Sequence, residues 1–328
     1  MTLNCLVTGG AGFIGSHVCK ELSRNGFIPV TLDNLATGHR DAVKWGPLIE
    51  GDILDTATLV QALRTHGPAA VLHFAASAYV GESVDKPADY YRNNVLGLHS
   101  LLEACREAGV GTLIFSSSCA TYGNHCEPIS ETSVQQPINP YGRTKLIGEQ
   151  MIADYATAYG LRFAMLRYFN AAGADPEREL SERHTPETHL LPRAILAALG
   201  AIPPLEVFGS DYPTPDGTCV RDYIHVSDLA KAHVLAAKHL INGGSNLRLN
   251  LGAGVGSSVR RVIDTVADVT GLRVPYVLRD RRAGDPPSLL ADISLARSTL
   301  GFEPQLSTLR RIVSDAAAAF LEARPNVA

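Results

Sequence analysis

Tyr141 and Lys145 stand four positions apart in "NPYGRTK", with Pro140 before the tyrosine and Gly142 after it. A phenol of ordinary pKa, about 10, accepts and donates protons poorly at neutral pH. The stretch "YGRTKLIGEQMIADYATAYG" carries helical periodicity, and residues i and i+4 of a helix share a face. The two side chains therefore project together from the start of a helix, where the ammonium and the helix N-terminus both favour the phenolate. A phenol tuned in this way can take a proton from a hydroxyl group and return it. On spacing alone, a Tyr and a Lys on a solvated helix face is the better account. What reverses it is "TLIFSSSCATYG", an apolar run ending in three serines. A buried strand of that kind puts hydroxyls at its C-terminal end, where an open α/β sheet binds ligands. Ser118 then reaches the same substrate oxygen as Tyr141, although serines there also suit ST-turns.

A second constellation opens the chain. "VTGGAGFIG" places Gly9, Gly12 and Gly15 after one apolar run and before a helical pattern. Glycines in that context make a tight turn, let backbone approach a diphosphate and let helix pack close on strand. Asp33 ends the next apolar run, "IPVTLD". A carboxylate roughly 20 residues past the glycines hydrogen-bonds the adenine ribose and repels a 2′-phosphate, which favours NAD over NADP. A plain strand-end turn is the rival account of Asp33. Asp52, in "EGDILD", either lies near the adenine or caps a helix.

These residues require particular elements to position them. "LNCLVTG", "IPVTLD", "AAVLHFAA", "TLIFSSS" and "RFAMLRYFN" are apolar and nearly uncharged, the composition of strands buried on both faces. Helical patterns alternate with them, including Ile14–Asn25 closed by Gly26 and Leu98–Ala108 closed by Gly109. The alternation predicts an α/β fold, a Rossmann-like, doubly wound parallel sheet with a smaller α/β domain after it. The expected division is an NAD-binding domain over 1–169, rejoined by parts of 221–252, and a smaller second domain over 170–328. In the second half "ADPERELSERHTPETH" reads as a loop and "LPRAILAALG" as a helix. "VSDLAKAHVLAAKHL" reads as a helix capped by Ser227, and "SSVRRVIDTVADVTG" as one capped by Ser257 or Ser258. "LRLNLGAG" supplies a further strand.

Composition narrows the function. The 328 residues carry a net charge of −4, with 45% hydrophobic and 19% charged residues. Without a basic run, nucleic acid and anionic membrane are poor partners. Six cysteines (Cys5, Cys19, Cys105, Cys119, Cys126 and Cys219) show no C-x-x-C pair, so neither zinc nor a disulfide framework is expected. There is no signal-peptide pattern and no membrane-spanning apolar run, so a cytoplasmic protein is expected. His73 and His225 read as satisfied core histidines, and Tyr90 and Tyr91 as packing residues.

Taken as a set, "TGGAGFIGSH", "LDNL", "HFAASAYVGESV", "YYRNNV", "FSSSCATYG", "PYGRTK", "LRYFNAAGA", "FGSDYPTPDGTCVRDYIHVSDLA", "LGAGVGSSV" and "RRAGD" resemble the extended short-chain dehydrogenase/reductases. Within them they resemble the UDP-glucose 4-epimerases, almost from end to end. The resemblance implies a tightly held NAD and inversion of C4 of a UDP-sugar through a transient 4-keto intermediate. It makes Tyr141 the base, Lys145 its electrostatic partner and Ser118 a hydrogen-bond donor. Around the cofactor it places Phe13, Ile14, Asn34 and Ile53 beside the glycines and acids already named. Phe74, Ala75, Ala76, Asn93, Ser116 and Phe169 complete that set. Around the nucleotide sugar it places Asn170, His189, Leu190, Val207, Phe208, Arg221, Arg282 and Asp285. Two arginines match a diphosphate. The family also implies a homodimer built on Leu98–Ala108 and Tyr141–Tyr159.

The chain departs from the commonest pattern at Ala78, Ala120 and His189, and "SSSCATYG" and "DGTCVRDYIHV" resemble a branch that includes bacterial epimerases of polysaccharide synthesis and UDP-arabinose 4-epimerases. Hexose and pentose both stay open as substrates. His189 is either a ligand contact or a loop histidine facing water. Leu289, at a position tied to pocket size, leaves N-acetylated sugars possible. A 4,6-dehydratase needs an Asp-Glu pair where this chain has Cys119 and Ala120, and a UDP-uronate epimerase needs a further cation. A non-catalytic NAD-binding regulator would have lost the Tyr141/Lys145 pair.

Overall fold

In the computed structural model, residues 2–125, 128–282 and 285–322 are described. Cys126, and Ala283 and Gly284 of "RRAGD", lie outside them. A seven-stranded sheet organises the first half. Its strands run in the spatial order Leu247–Leu251, Arg162–Tyr168, Thr112–Ser118, Ala70–His73, Asn4–Thr8, Ile28–Asp33 and Leu48–Glu50. Every neighbouring pair is parallel. The reason is visible in the side chains. Cys5 and Val7 of the first strand face one core, with Val18 and Leu22 of the helix Phe13–Arg24 and Leu229 and Ala236 of the helix Val226–Ile241. Leu6 faces the other, with Leu59 and Leu63 of the helix Thr56–His66 and Leu98 and Leu101 of the helix Gly97–Ala108. Successive strand residues alternate between faces, so a strand covered on both sides must be apolar throughout. Each such fully buried Leu or Val contributes roughly 1.5–3 kcal/mol.

The predicted strands all form, and "LRLNLGAG" joins the main sheet as an edge strand beside Arg162–Tyr168. Leu48–Glu50 was not anticipated, because a strand of three residues leaves no periodicity to read. Beyond Phe169 the short strands Asn170–Ala172, Gly256–Ser258 and Ser288–Leu289 pair with Val220–His225, and Leu205–Phe208 pairs with Tyr276–Arg279. These pack with the helices Leu190–Ala198, Val259–Thr270 and Leu309–Glu322 around a core of their own.

Caps follow the sequence with one correction. Ser258 caps Val259–Thr270, accepting from the Arg261 amide. The helix Val226–Ile241, by contrast, is capped by His225, whose Nδ1 accepts the Ser227 N–H, and Ser227 lies within the first turn. A neutral imidazole nitrogen does there what a serine hydroxyl usually does. His225 and His73 are indeed buried and partnered, His73 through the Thr8 hydroxyl at 2.7 Å. Tyr90 is buried. Tyr91 is not a packing residue, being 37% exposed. Among the described residues, no helix is long and apolar enough to cross a membrane.

Candidate active site

Strand order reverses where Asn4–Thr8 lies between Ile28–Asp33 and Ala70–His73, and the crevice beyond the carboxyl ends at such a point is where open α/β sheets take ligands. The predicted residues collect along that edge. Gly9 has a φ of +74°, and a Cβ there would meet the Ala75 amide at 2.6 Å, which ties the glycine turn to Phe74, Ala75 and Ala76 after the neighbouring strand. A Cβ on Gly15 would lie 2.1 Å from the Gly9 carbonyl. At Gly12, by contrast, only that carbonyl comes near, at 3.4 Å. Gly12 heads the helix Phe13–Arg24, which no side chain caps and whose first turn, with Ile14, holds no acid. A helix N-terminus left open in this way suits an anion.

Asp33 is buried and braces this turn. Its Oδ2 accepts the Ala11 N–H at 2.9 Å and its Oδ1 the Leu35 N–H at 2.8 Å. The strand-end turn account of Asp33 is what these bonds show, and each carboxylate oxygen keeps a second lone pair for a ligand. Asn34 reaches from the same strand end to Asp52, whose other oxygen accepts the Leu54 N–H. The helix that follows is capped by Asp55, so Asp52 is not its cap. Ile53 is buried against Gly97.

Next along the edge stand the three serines, each with a different partner. The Ser116 hydroxyl bonds the Tyr168 hydroxyl at 2.6 Å, Ser117 donates to Glu149 at 2.5 Å, and Ser118 accepts the Ala120 N–H at 3.1 Å in an ST-turn. The helix Pro140–Tyr159, capped by the Asn139 side chain, brings Tyr141 and Lys145 against them. The Lys145 ammonium donates to the Ser116 carbonyl at 2.7 Å and lies 5.9 Å from the Tyr141 ring centre. Neither is on a solvated face: Tyr141 is 7% exposed and Lys145 3%. Burial pushes the Tyr141 phenol up and Tyr168 adds to this, while Ser118 pulls it down. Burial also lowers Lys145 to about 7, opposed by the charge of Glu149. The protein's own groups thus keep the phenol protonated, and the expected tuning by Lys145 alone is outweighed by desolvation.

Phe74 packs on His233, and Phe169 is buried in a cluster with Tyr122, Cys119 and Leu289. Asn93 donates to the Ser77 hydroxyl. Its neighbour Asn94, absent from the sequence reading, is the buried brace, bonding the Ser77 amide and carbonyl and the Thr144 hydroxyl next to Lys145. It sits in a π-turn, Arg92–Leu96, a distortion often found at functional sites. In the second half Asn170 donates to the Asp222 carbonyl, Arg221 pairs with Asp285, and the Arg282 guanidinium lies 3.9 Å from the Phe208 ring centre, beside the buried Val207. His189 occupies the N-cap position and Leu190 opens the helix Leu190–Ala198, and the His189 Nδ1 bonds Glu182. Cys5, Cys19, Cys105 and Cys119 are free thiols that burial pushes up to about 12.

The model of the NAD dependent epimerase/dehydratase family matches residues 5–252. The chain belongs to that family. Among curated proteins, the UDP-glucose 4-epimerase of Rhizobium leguminosarum bv. trifolii is 53% identical over 92% of each chain. Among solved structures, UDP-glucose 4-epimerase from Brucella ovis in complex with NAD has a TM-score of 0.96 and 59% identity, covering 97% of this chain and 98% of that one. UDP-glucose-4-epimerase from Stenotrophomonas maltophila, with bound NAD and formylated UDP-arabinopyranose, has a TM-score of 0.94 and 41% identity, covering 98% and 100%. The family's cofactor fits the open turn at Gly12 and the carboxylate of Asp33.

Gly15→Ala tests how closely that turn is built. Its new Cβ meets backbone, which cannot step aside, so the helix must shift away from the strand at a cost of about 1–3 kcal/mol. The expected result is a lower Tm and weaker NAD binding than the wild type's, read by titration with NAD. Gly81→Ala, where a Cβ meets nothing within 4 Å, should change neither.

Proposed function

We propose that this chain is a UDP-glucose 4-epimerase, an isomerase that inverts C4 of a UDP-sugar with bound NAD. The observation that carries the reading is the burial of Tyr141 and Lys145 against Ser116–Ser118, on the same sheet edge as the glycine turn. Residues 1–169, rejoined by parts of 221–252, hold the cofactor in this reading, and 170–328 hold the nucleotide sugar. The chemistry NAD supplies when bound is the acceptance and return of one hydride at C4. Gly9, Gly12, Phe13, Ile14, Gly15 and Asp33 bind it, with Asn34, Asp52, Ile53, Phe74, Ala75, Ala76, Asn93, Ser116 and Phe169 around it.

Tyr141 takes the proton from the C4 hydroxyl and later returns it, while Ser118 holds the same oxygen. Lys145, fixed by the Ser116 carbonyl, supports the phenolate through its charge. Arg221 and Arg282 clamp the diphosphate, as guanidinium forks suit its oxygens. Asn170, Asp285, Val207, Phe208 and Leu190 hold the rest of the nucleotide, with His189 facing it through Nε2, since its Nδ1 is engaged by Glu182. Inversion requires tight grip at the UDP end and a loose one at the sugar, so that the 4-keto sugar presents either face.

The test is to mix purified protein with UDP-galactose, adding no NAD, and to assay UDP-glucose. Isomerisation supports the reading. A keto-deoxy product would replace it with a dehydratase, and no turnover of any UDP-sugar with a regulator. A second reading, UDP-xylose/UDP-arabinose epimerisation, is favoured by the likeness to the enzyme that holds a UDP-arabinopyranose derivative. Faster turnover of UDP-arabinose than of UDP-galactose would select it.

A further inference from the structure

The loop before the helix Leu190–Ala198 carries "ERHTPETH", and its four acid and imidazole side chains converge. One ligand atom from each of Glu182, His184, Glu187 and His189 lies within 4.8 Å of all the others. The His184 Nδ1 stands 3.2 Å from a Glu182 oxygen and 3.6 Å from a Glu187 oxygen. The His189 Nδ1 contacts that same Glu182 oxygen. Two donors held ~2.1 Å from a tetrahedral Zn²⁺ lie about 3.4 Å apart, which the two His184 separations bracket. Two carboxylates, two neutral imidazoles and one dication also sum to zero charge, so such a site is compatible with the burial of Glu182.

The alternative filling is protonation of both histidines. It would set two imidazolium rings 5.2 Å apart, centre to centre, against the Glu182 and Glu187 carboxylates, and it leaves the buried His184 Nδ1 without a well-formed hydrogen bond. The other carboxylate group of this loop shows what an already satisfied cluster looks like. Asp175, Glu177 and Glu179 surround the Lys20 ammonium at 2.5, 3.0 and 2.6 Å, so a cation of the protein's own already faces all three.

We infer that Glu182, His184, Glu187 and His189 form a binding site for one divalent metal of the zinc type. Four protein ligands leave no open coordination position, which makes the site structural rather than catalytic. The ion ties the loop together where His184 packs against Phe13 of the glycine turn and against Tyr79, with ring centres 6.4 and 5.7 Å away. It thereby fixes the mouth of the cofactor crevice and the start of the next helix.

Co²⁺ is the probe. Full-length protein, stripped by a chelator and desalted, is titrated with Co²⁺ alone and then with Zn²⁺. One equivalent should bind with the visible bands of a tetrahedral nitrogen/oxygen site, and Zn²⁺ should displace it and raise the Tm. Glu187→Gln, isosteric and on the half-buried rim, should weaken binding at least tenfold with the metal-free Tm unchanged. His184→Asn combined with it should abolish the bands. Absence of tetrahedral bands, a thiolate charge-transfer band, or unchanged binding in Glu187→Gln would each overturn the site. The readout is independent of epimerase activity, so failure of either assignment leaves the other standing.

Discussion

Tyr141→Phe is expected to lower kcat by about 10³–10⁴-fold or more with UDP-galactose, while the protein stays folded and keeps its NAD. General acid–base groups typically supply 10²–10⁴-fold, and here one hydroxyl handles the proton in both directions of the reaction. The substitution removes only that oxygen. Tyr141 sits buried at the first turn of its helix, and a phenyl ring fills the same space, so little change in Tm is expected. The measurements are kcat and KM, together with NAD content. A fall in kcat with little change in KM places the loss in the chemical step. A rate like the wild type's would remove Tyr141 as the base. Burial raises the phenol and lowers Lys145 to about 7. The resting pair therefore holds its proton on the tyrosine.

The second large effect concerns stability. Glu149 and Arg167 form a buried ion pair with Nη2 to Oε2 at 2.6 Å and Nε to Oε1 at 2.9 Å. Ser117 and Gln135 also donate to Glu149, and Arg167 donates to the Tyr122 hydroxyl at 2.8 Å. Arg167→Met leaves a carboxylate buried without its counter-charge, and removing one partner of such a pair costs about 3–5 kcal/mol. Urea unfolding of Arg167→Met should show that loss, and Arg167→Met combined with Glu149→Leu should recover part of it. If the double variant loses the sum of the two single effects, the pair is not coupled. The network lies directly behind the active serines. Ser117 stands between Ser116 and Ser118, and Glu149 is one helical turn past Lys145.

Why the sequence announced one of these networks and not the other follows from how each is encoded. Gly9, Gly12, Gly15 and Asp33 are local signals, a turn followed by a helix and a carboxylate at a strand end. Tyr141 and Lys145 are a spacing on one helix. Glu149 and Arg167 lie on different elements, and within "RFAMLRYFN" an arginine reads as pointing to water. Only the packing of the helix Pro140–Tyr159 on the sheet brings its partner under it. Glu149 continues the spacing from Tyr141 through Lys145 and could have been noticed on that ground. Asn94 gave no such signal, since apart from a contact with Asn93 its bonds go to residues 17 and 50 positions away. The His225 cap escaped because serine is the usual capping residue and stood two positions on. The Glu182–His189 cluster leaves no mark in cysteine spacing, because its four members are histidine and glutamate.

The strand Leu247–Leu251 completes the main sheet by pairing with Arg162–Tyr168, far earlier in the chain. A ribosome delivers these segments in order, so for the time needed to make the intervening stretch the nascent sheet ends in an open edge. An edge of that kind is a template for pairing with other chains. The helix Val226–Ile241, which covers one face, is also delivered late. The topology that joins the two halves therefore sets a window during synthesis in which the first half is exposed, and it leaves no point in the chain at which that half could be released as a finished unit.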